Sequence, residues 1–255
     1  MKSIQLVLVA LALTAISDFL SVSAFEAGPK PPRVLIVTGA DVPAHDWRAT
    51  TPVTRSILEE GKRFETFVSE EPSVLETAAL QSYDVLVLNY RNPPDAKLSD
   101  TARKNILEFL GKGKGLVLIH FAVAAFSDWE EYSKIAGRVW VGKKGNEKIS
   151  GHGDRGKFLV KITAKDHPIT AGVSDFTADD ELYARLQGDA PIEVLATAFS
   201  SDYSKKDEPM AWTLPYGKGR VFVTPLGHDA VSRSVPAFQR LLQQGTLWAA
   251  GRSGK

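Results

Sequence analysis

The chain has 255 residues, 31 basic and 30 acidic side chains for a formal charge of +1, and 44% hydrophobic content, enough for one large domain. Acids and bases are interspersed, which argues against a nucleic-acid face or an acidic solvating tail. It has no cysteine, which excludes disulfides, thiolate metal sites and thiol nucleophiles.

The first 27 residues have the form of a secretory leader. Lys2 gives a positive start, Leu6–Ile16 is an apolar run too short to span a bilayer comfortably, and Val22 and Ala24 suit cleavage after Ala24. The pattern predicts export to the periplasm or the extracellular space; an uncleaved N-terminal anchor is the alternative. Gly28–Pro32, GPKPP, is then a stiff entry to one domain over residues 28–255.

Arg33–Gly39, RVLIVTG, is a continuous apolar run closed by glycine, which predicts a buried strand. A long loop over Ala40–Pro52 follows, and Thr50 or Thr51 caps the next helix with Pro52 in its first turn. Phe64–Glu70 and Tyr83–Tyr90 read as the second and third strands. Ser99 caps an amphipathic helix that ends in glycines. Gly115–His120 is a fourth strand, and residues 128–136 form a short helix. This alternation predicts a doubly wound, mostly parallel sheet. The second half is richer in β structure, with strands at Gly156–Thr163, Ile192–Phe199 and Pro209–Gly227 and a hairpin turn at Tyr216–Arg220. A helix over Pro236–Ala250 follows. No repeat or linker divides the domain.

Open α/β sheets bind ligands beyond the carboxyl ends of their strands. Three of the five histidines fall there: His45 in the loop after the first strand, His120 at the end of the fourth, and His228 after the last long strand. His120 stands where a strand hands over to a helix, the place of a serine or cysteine nucleophile in some α/β enzymes. A core ring bonded to a backbone carbonyl accounts for it equally well. His45, with Asp46, Trp47 and Arg48, suits a ligand loop or a solvated turn capped by Asp46. Gly227 permits close approach to His228, and Asp229 fixes its tautomer if the fold brings the carboxylate round. His152 lies between glycines that suit either ligand approach or an exposed loop. His167, before Pro168, reads as a turn-fixing side chain. Asp179, Asp180 and Glu181 are consecutive and cannot all face one pocket. The residues alone favour helix N-terminal acids over one acid facing inward beside Tyr183. Trp129 and Trp212 fit sugar platforms, or more ordinarily core. There is no dinucleotide fingerprint, P-loop, GxSxG elbow or HExxH motif, so a metal site would have to be gathered from distant loops.

Taken together, VLIVTGADVPAHDWRATTP, GKGLVLIHFAVAAFSDWEEYSKIAGRVW, HPITAGVSDFTADDELY, PMAWTLPYGKGRVFVTPLGHD and FQRLLQQGTLWAAG resemble the ThuA-like (trehalose utilisation) family over about Arg33–Gly251. The resemblance implies a flavodoxin-like, class I glutamine amidotransferase-like fold, a three-layer α/β/α sandwich with a mostly parallel sheet and added antiparallel strands. The family's recurring positions are matched by His45, His120, His152, His167, Glu181, Tyr183, Gly227 and His228. The segment before His152 departs from the family's glycine pair and aromatic. Membership implies carbohydrate catabolism, including disaccharides oxidised to 3-keto sugars by a partner dehydrogenase. Glutaminase activity does not carry over, because the amidotransferase thiol is missing.

On that basis His120 and His228 are expected as general acid/base groups with Glu181 as carboxylate partner. His45, Asp46, Trp47, His152, Tyr183 and Asp229 are expected to contact a small carbohydrate. The alternative for His45, His120 and His228 is ligation of a divalent metal, zinc or manganese. The expected function is a hydrolase or lyase acting on a glycoside or 3-keto-glycoside, working with a sugar 3-dehydrogenase and with homo-oligomers allowed. A non-catalytic carbohydrate-binding protein using the same pocket is the rival; an amidotransferase-fold hydrolase of an unrelated small molecule is a third reading.

Overall fold

The apolar runs become strands whose alternate residues serve two faces. In a computed structural model that describes residues 30–93 and 95–252, the order is β1 (Arg33–Val37), α1 (Trp47–Glu59), β2 (Glu65–Ser69), β3 (Val85–Leu88), α2 (Asp100–Gly111), β4 (Gly115–Ile119), α3 (Glu131–Ala136), β5 (Lys143–Lys144), β6 (Glu147–Lys148), β7 (Gly156–Ile162), β8 (Phe176–Asp180), β9 (Glu193–Phe199), β10 (Asp207–Tyr216), β11 (Gly219–Thr224) and α4 (Pro236–Ala249). The leader read in residues 1–27 lies outside the described residues. Among the described residues, no helix is long and apolar enough to cross a membrane.

Nine strands form one sheet in the order β2-β1-β3-β4-β11-β10-β9-β7-β8, and β5 and β6 form a separate small hairpin. The first five are mutually parallel and the rest pair antiparallel. On β1, Val34 and Ile36 point to one face and Leu35 and Val37 to the other, and all four are buried. A parallel sheet with two apolar faces must be covered on both. Ile57, Leu58, Phe238, Leu241 and Leu242 of α1 and α4 cover one face, and Ile106, Phe109, Leu110, Tyr132 and Ile135 of α2 and α3 the other. Each such side chain contributes roughly 1.5–3 kcal/mol on burial. The result is the expected three-layer α/β/α sandwich. α4 lies so close to the sheet that a Cβ on Gly245 would collide with the Phe222 ring.

Some local expectations are corrected. α1 starts at Trp47, capped by Asp46 rather than by Thr50 or Thr51, and Pro52 lies inside it. Thr50, Thr51 and Thr54 are buried in the helix instead. The acids at 179–181 do not open a helix. FTADD is an edge strand held by its pairing with β7, from Gly156 opposite Asp180 to Val160 opposite Phe176. That partner lies too far along the chain for local propensity to reveal it. Trp212 is fully buried, with its indole N–H donated to the Ala136 carbonyl oxygen at 2.8 Å, so it belongs to the core.

The topology also aims the chemistry. β1, β4 and β11 run the same way. Four successive antiparallel pairings separate β8 from β11, an even number, so β8 runs that way too. His45, His120, Glu181 and His228 each follow the carboxyl end of one of these strands.

Candidate active site

His120 is the first residue after β4 and starts a tight turn over His120–Ala124. Its φ is +51°, a left-handed conformation that costs a non-glycine residue roughly 1–3 kcal/mol. Its side chain is fully buried, and Nδ1 lies 2.8 Å from the Pro225 carbonyl oxygen, just past the adjacent strand β11. A carbonyl only accepts, so Nδ1 carries the hydrogen and Nε2 presents its lone pair. The sharp elbow therefore aims an imidazole nitrogen of defined tautomer.

His228 is set by Gly227 and Asp180. Gly227 has φ +98°, and a Cβ there would lie 2.9 Å from Phe238 Cζ, so the turn requires glycine. Asp180 is buried, and its carboxylate accepts the backbone N–H groups of Gly227 at 2.6 Å, His228 at 3.1 Å and Glu181 at 2.8 Å. One carboxylate thus fixes the turn that carries His228 and the residue that carries the next acid. His228 Nδ1 lies 3.2 Å from both His120 Nε2 and Glu181 Oε2, and His120 Nε2 is 3.5 Å from the same oxygen.

His45 arrives on the long loop after β1. Its Nδ1 donates to the Pro43 carbonyl oxygen at 3.1 Å, and its Nε2 accepts from the Tyr183 hydroxyl at 3.3 Å. Its ring stacks on Phe121 at 4.6 Å. One donor atom from each of His45, His120, Glu181 and His228 lies within 4.8 Å of all the others.

Electrostatics divides the roles. Burial pushes the Glu181 carboxyl up, but the imidazoles of His120 and His228 beside it outweigh that and hold the group well below the ordinary carboxylate range. The hydrogen bond to Glu181 raises His228, against burial. Burial first, then the charges of His120 and His228, lower His45 to about 3, so it stays neutral. Burial raises the Tyr183 hydroxyl well above its ordinary value, so it remains a donor. The centre contains one ionised acid, one readily protonated imidazole and one imidazole kept neutral.

This donor set fits a divalent metal. Three imidazoles and a carboxylate are ligands that suit zinc, manganese or iron. Ligand atoms bound to one ion at about 2.1 Å stand roughly 3.0–3.4 Å apart, close to the 3.2, 3.2 and 3.5 Å separations among His120, His228 and Glu181. The carbonyl partners on Nδ1 of His45 and His120 are of the kind that orient histidines for metal ligation.

The other predicted site residues fall in different places. His152 joins the rim: its Nε2 is 3.7 Å from Glu181 Oε2, and its ring stacks on Tyr183 at 5.6 Å. Asp46 commits its carboxylate to the N–H groups of Arg48 and Ala49, so it is a helix cap. Trp47 is buried and donates to Asp41, and with His45 it lines a cavity of about 720 Å³ over the 41–48 loop. Asp229 does not orient His228; it pairs with Arg155 at 2.9 Å and accepts the Ser232 N–H. Its place beside the imidazole is taken by Glu181. Asp179 turns to Arg155 at 2.6 Å, so the three consecutive acids face three partners. His167 lies apart, its Nδ1 accepting the Ile169 N–H within its own turn.

Sequence reasoning missed Asp180 and Arg233. Arg233 is fully buried and donates to the Gly227 carbonyl, Thr54, the Thr50 carbonyl and Asn89, which ties the His228 turn to α1 and β3. The only local signal was an arginine alone in an otherwise uncharged VSRSVP segment.

Comparison with known proteins supplies a context. The family model described as ThuA, trehalose utilisation, matches residues 33–249. The chain is similar to the crystal structure of a ThuA-like protein from Parabacteroides merdae, with 29% identity and a TM-score of 0.79 over 89% of this chain and 92% of that one. A ThuA-like protein from Bacteroides uniformis gives 18% identity and 0.63 over 87% and 93%. A β-galactosidase from Bacillus circulans shares the fold alone, at 11% identity and 0.55 over 88% of this chain and 32% of that one. Comparison with curated protein sequences finds no match.

Proposed function

The chain belongs to the ThuA, trehalose utilisation, family, and from that premise we propose an exported carbohydrate-catabolic enzyme that cleaves a glycoside or 3-keto-glycoside. In this reading His45, His120, Glu181 and His228 hold a divalent metal, zinc or manganese. The observation that carries it is the convergence of those four side chains, from four separate segments, with donor atoms within 4.8 Å of one another. The leader form of residues 1–27 supports a substrate met outside the cytoplasm.

A bound ion would supply Lewis acidity toward a keto oxygen of the substrate. A keto group at C3 acidifies the neighbouring C–H, so loss of that proton opens the way to expulsion of the aglycone. With four side chains engaged as ligands, proton removal falls to His152. Its Nδ1 donates to the Gly153 carbonyl oxygen at 2.6 Å, which leaves Nε2 as the base, and its side chain is 33% exposed at the rim. The Tyr183 hydroxyl lies 3.3 Å from His45 Nε2, so an ion held by that nitrogen would leave the hydroxyl as a donor at the centre. A sugar 3-dehydrogenase would supply the keto substrate.

The test combines metal analysis of the purified protein with aglycone release from 3-keto-glycosides. One divalent ion per chain is expected, with turnover abolished in His120→Ala and Glu181→Ala. Wild-type protein with neither metal nor turnover, or variants as active as wild type, would remove the reading.

A further inference from the structure

A second cleft, of about 520 Å³, lies beyond the carboxyl ends of the neighbouring parallel strands β3 and β4, where open α/β sheets take their ligands. Arg91, just past β3, lines one side, and Val123 and Ala124, in the turn that follows β4, line another. None of His45, His120, Glu181 and His228 reaches it. Trp140 closes the inner wall; its ring is 4.7 Å from Tyr183, whose ring is 4.3 Å from His120. The Trp140 and Tyr183 rings thus separate the cleft from the histidine centre, so an occupant of the cleft is a ligand in its own right.

The wall holds a cation without a partner. Arg91 is partly buried and forms no ion pair or side-chain hydrogen bond among the described residues. Arg103 and Arg155, by contrast, are paired with Asp128 and Asp229. Withdrawing an unpaired charge from water costs free energy that a bound anion offsets. The Arg91 segment is anchored, because the Asn92 N–H donates to the Ala125 carbonyl at 3.0 Å and the Tyr90 hydroxyl to Asn92 at 2.6 Å. Lys143 adds a second positive charge to the lining, against Glu130 alone. Trp129 and Trp140 supply flat apolar faces, both partly exposed in the cleft. Trp129 is backed by Tyr132, nearly parallel at 6.4 Å, and Trp140 by Tyr183. Trp140 is tied by its backbone N–H to the Val123 carbonyl at 3.1 Å, and Trp129 by its backbone N–H to Phe126 at 3.0 Å. Two stacking faces and one unpaired guanidinium on anchored backbone make a ligand site with few, well-placed polar groups.

We propose that the cleft is a separate binding site for a small ring bearing a carboxylate, with Arg91 taking the carboxylate and Trp129 and Trp140 stacking on the ring. A guanidinium fork matches the two oxygens of a carboxylate bidentately. A phosphate dianion fits less well, because α3 opens at this wall with Glu130 and Glu131, which repel a second negative charge. An aromatic acid and a sugar acid both present the flat apolar face on which an indole stacks. The site depends neither on a metal at the histidine centre nor on glycoside cleavage.

The experiment is calorimetric titration of the full-length protein with benzoate and glucuronate, and with their neutral counterparts benzyl alcohol and glucose, before and after chelation. At least one acid should bind about tenfold more tightly than its neutral counterpart, in chelated and untreated protein alike. Arg91→Gln should abolish that preference, and Arg91→Lys should retain only part of it, because lysine keeps the charge without the fork. Trp129→Ala should weaken the favoured acid about fivefold, with Trp129→Phe retaining most of the affinity. Near-UV circular dichroism confirms that each variant is folded. Preference for benzoate assigns an aromatic acid and preference for glucuronate a sugar acid, and either supports the site. No acid preference in wild type, or a folded Arg91→Gln protein that keeps the preference, overturns it. A preference lost on chelation also overturns it, because the carboxylate would then sit on an ion in the histidine centre.

Discussion

Asp180→Asn tests the architecture of the centre most directly. The carboxylate is 2% exposed and accepts three backbone N–H groups, from Gly227 at 2.6 Å, Glu181 at 2.8 Å and His228 at 3.1 Å. Asparagine keeps the shape but replaces one acceptor oxygen with a donor. If the amide nitrogen faces Gly227, two N–H groups oppose each other; if it faces His228 and Glu181, two bonds are lost. The remaining bonds lose their charge assistance. Hydrogen bonds to a charged group are worth about 1.5–3 kcal/mol each, and a buried unsatisfied donor costs about 1–3 kcal/mol. The substitution should therefore destabilise by about 3–5 kcal/mol, which for a domain of this size lowers Tm by about 10 °C. Because His228 and Glu181 both hang from Asp180, metal content should fall as well. Asp179→Asn is the control. It loses a half-exposed ion pair to Arg155, worth at most about 1 kcal/mol. Scanning calorimetry and metal analysis of the two variants decide the matter. An Asp180→Asn protein with wild-type Tm and metal content would refute the claim that this carboxylate holds the turn.

Further predictions concern the ligands themselves. His120→Ala and His120→Gly should both lack metal and turnover, but the glycine variant should be more stable by about 1 kcal/mol in denaturant titration, because φ is +51°. Chelation of the metal-loaded protein should lower Tm by roughly 5–10 °C, since an ion at a hundredfold excess over its Kd stabilises by about 2.7 kcal/mol; an unchanged Tm argues against a site in the folded state. In metal-free protein, His45 has its folded pKa depressed to about 3 from an ordinary 6.5. Its contribution is present above pH 6.5 and lost as pH falls toward 3, because the unfolded imidazole binds the proton first. Linkage sets an upper bound of about 2 kcal/mol at pH 5, reduced to about 1 kcal/mol by partial exposure. The stability advantage of wild type over His45→Gln should shrink by that amount between pH 7.5 and 5, and parallel pH curves for the two proteins would contradict it. His228, raised by Glu181, works in the opposite sense: its contribution is present below pH 6.5 and lost as pH rises through its folded value.

The local patterns determined a good deal. The runs RVLIV, VLVL and GLVLI could only become buried strands, and their alternation with amphipathic helices set the three layers. Ser99 capped α2 as its position required, and the Gly217–Lys218 turn joined β10 to β11. His45, His120 and His228 were legible as candidates because each follows a strand whose carboxyl end could be placed from hydrophobicity alone. Tertiary structure decided what their neighbours do. Asp46, Asp229 and Glu181 are all acids near these histidines, and nothing local separates a helix cap from an Arg155 partner or from the carboxylate beside His228. That choice depends on where β8 lies, and β8 exists through pairing with β7 about twenty residues earlier. The elbow at His120 likewise became a fixed tautomer only when β11 placed the Pro225 carbonyl against Nδ1, from 105 residues away. Hydrophobic periodicity acts over a few residues and is written in the sequence, whereas a polar group takes its role from whichever partner the completed sheet brings within 3 Å.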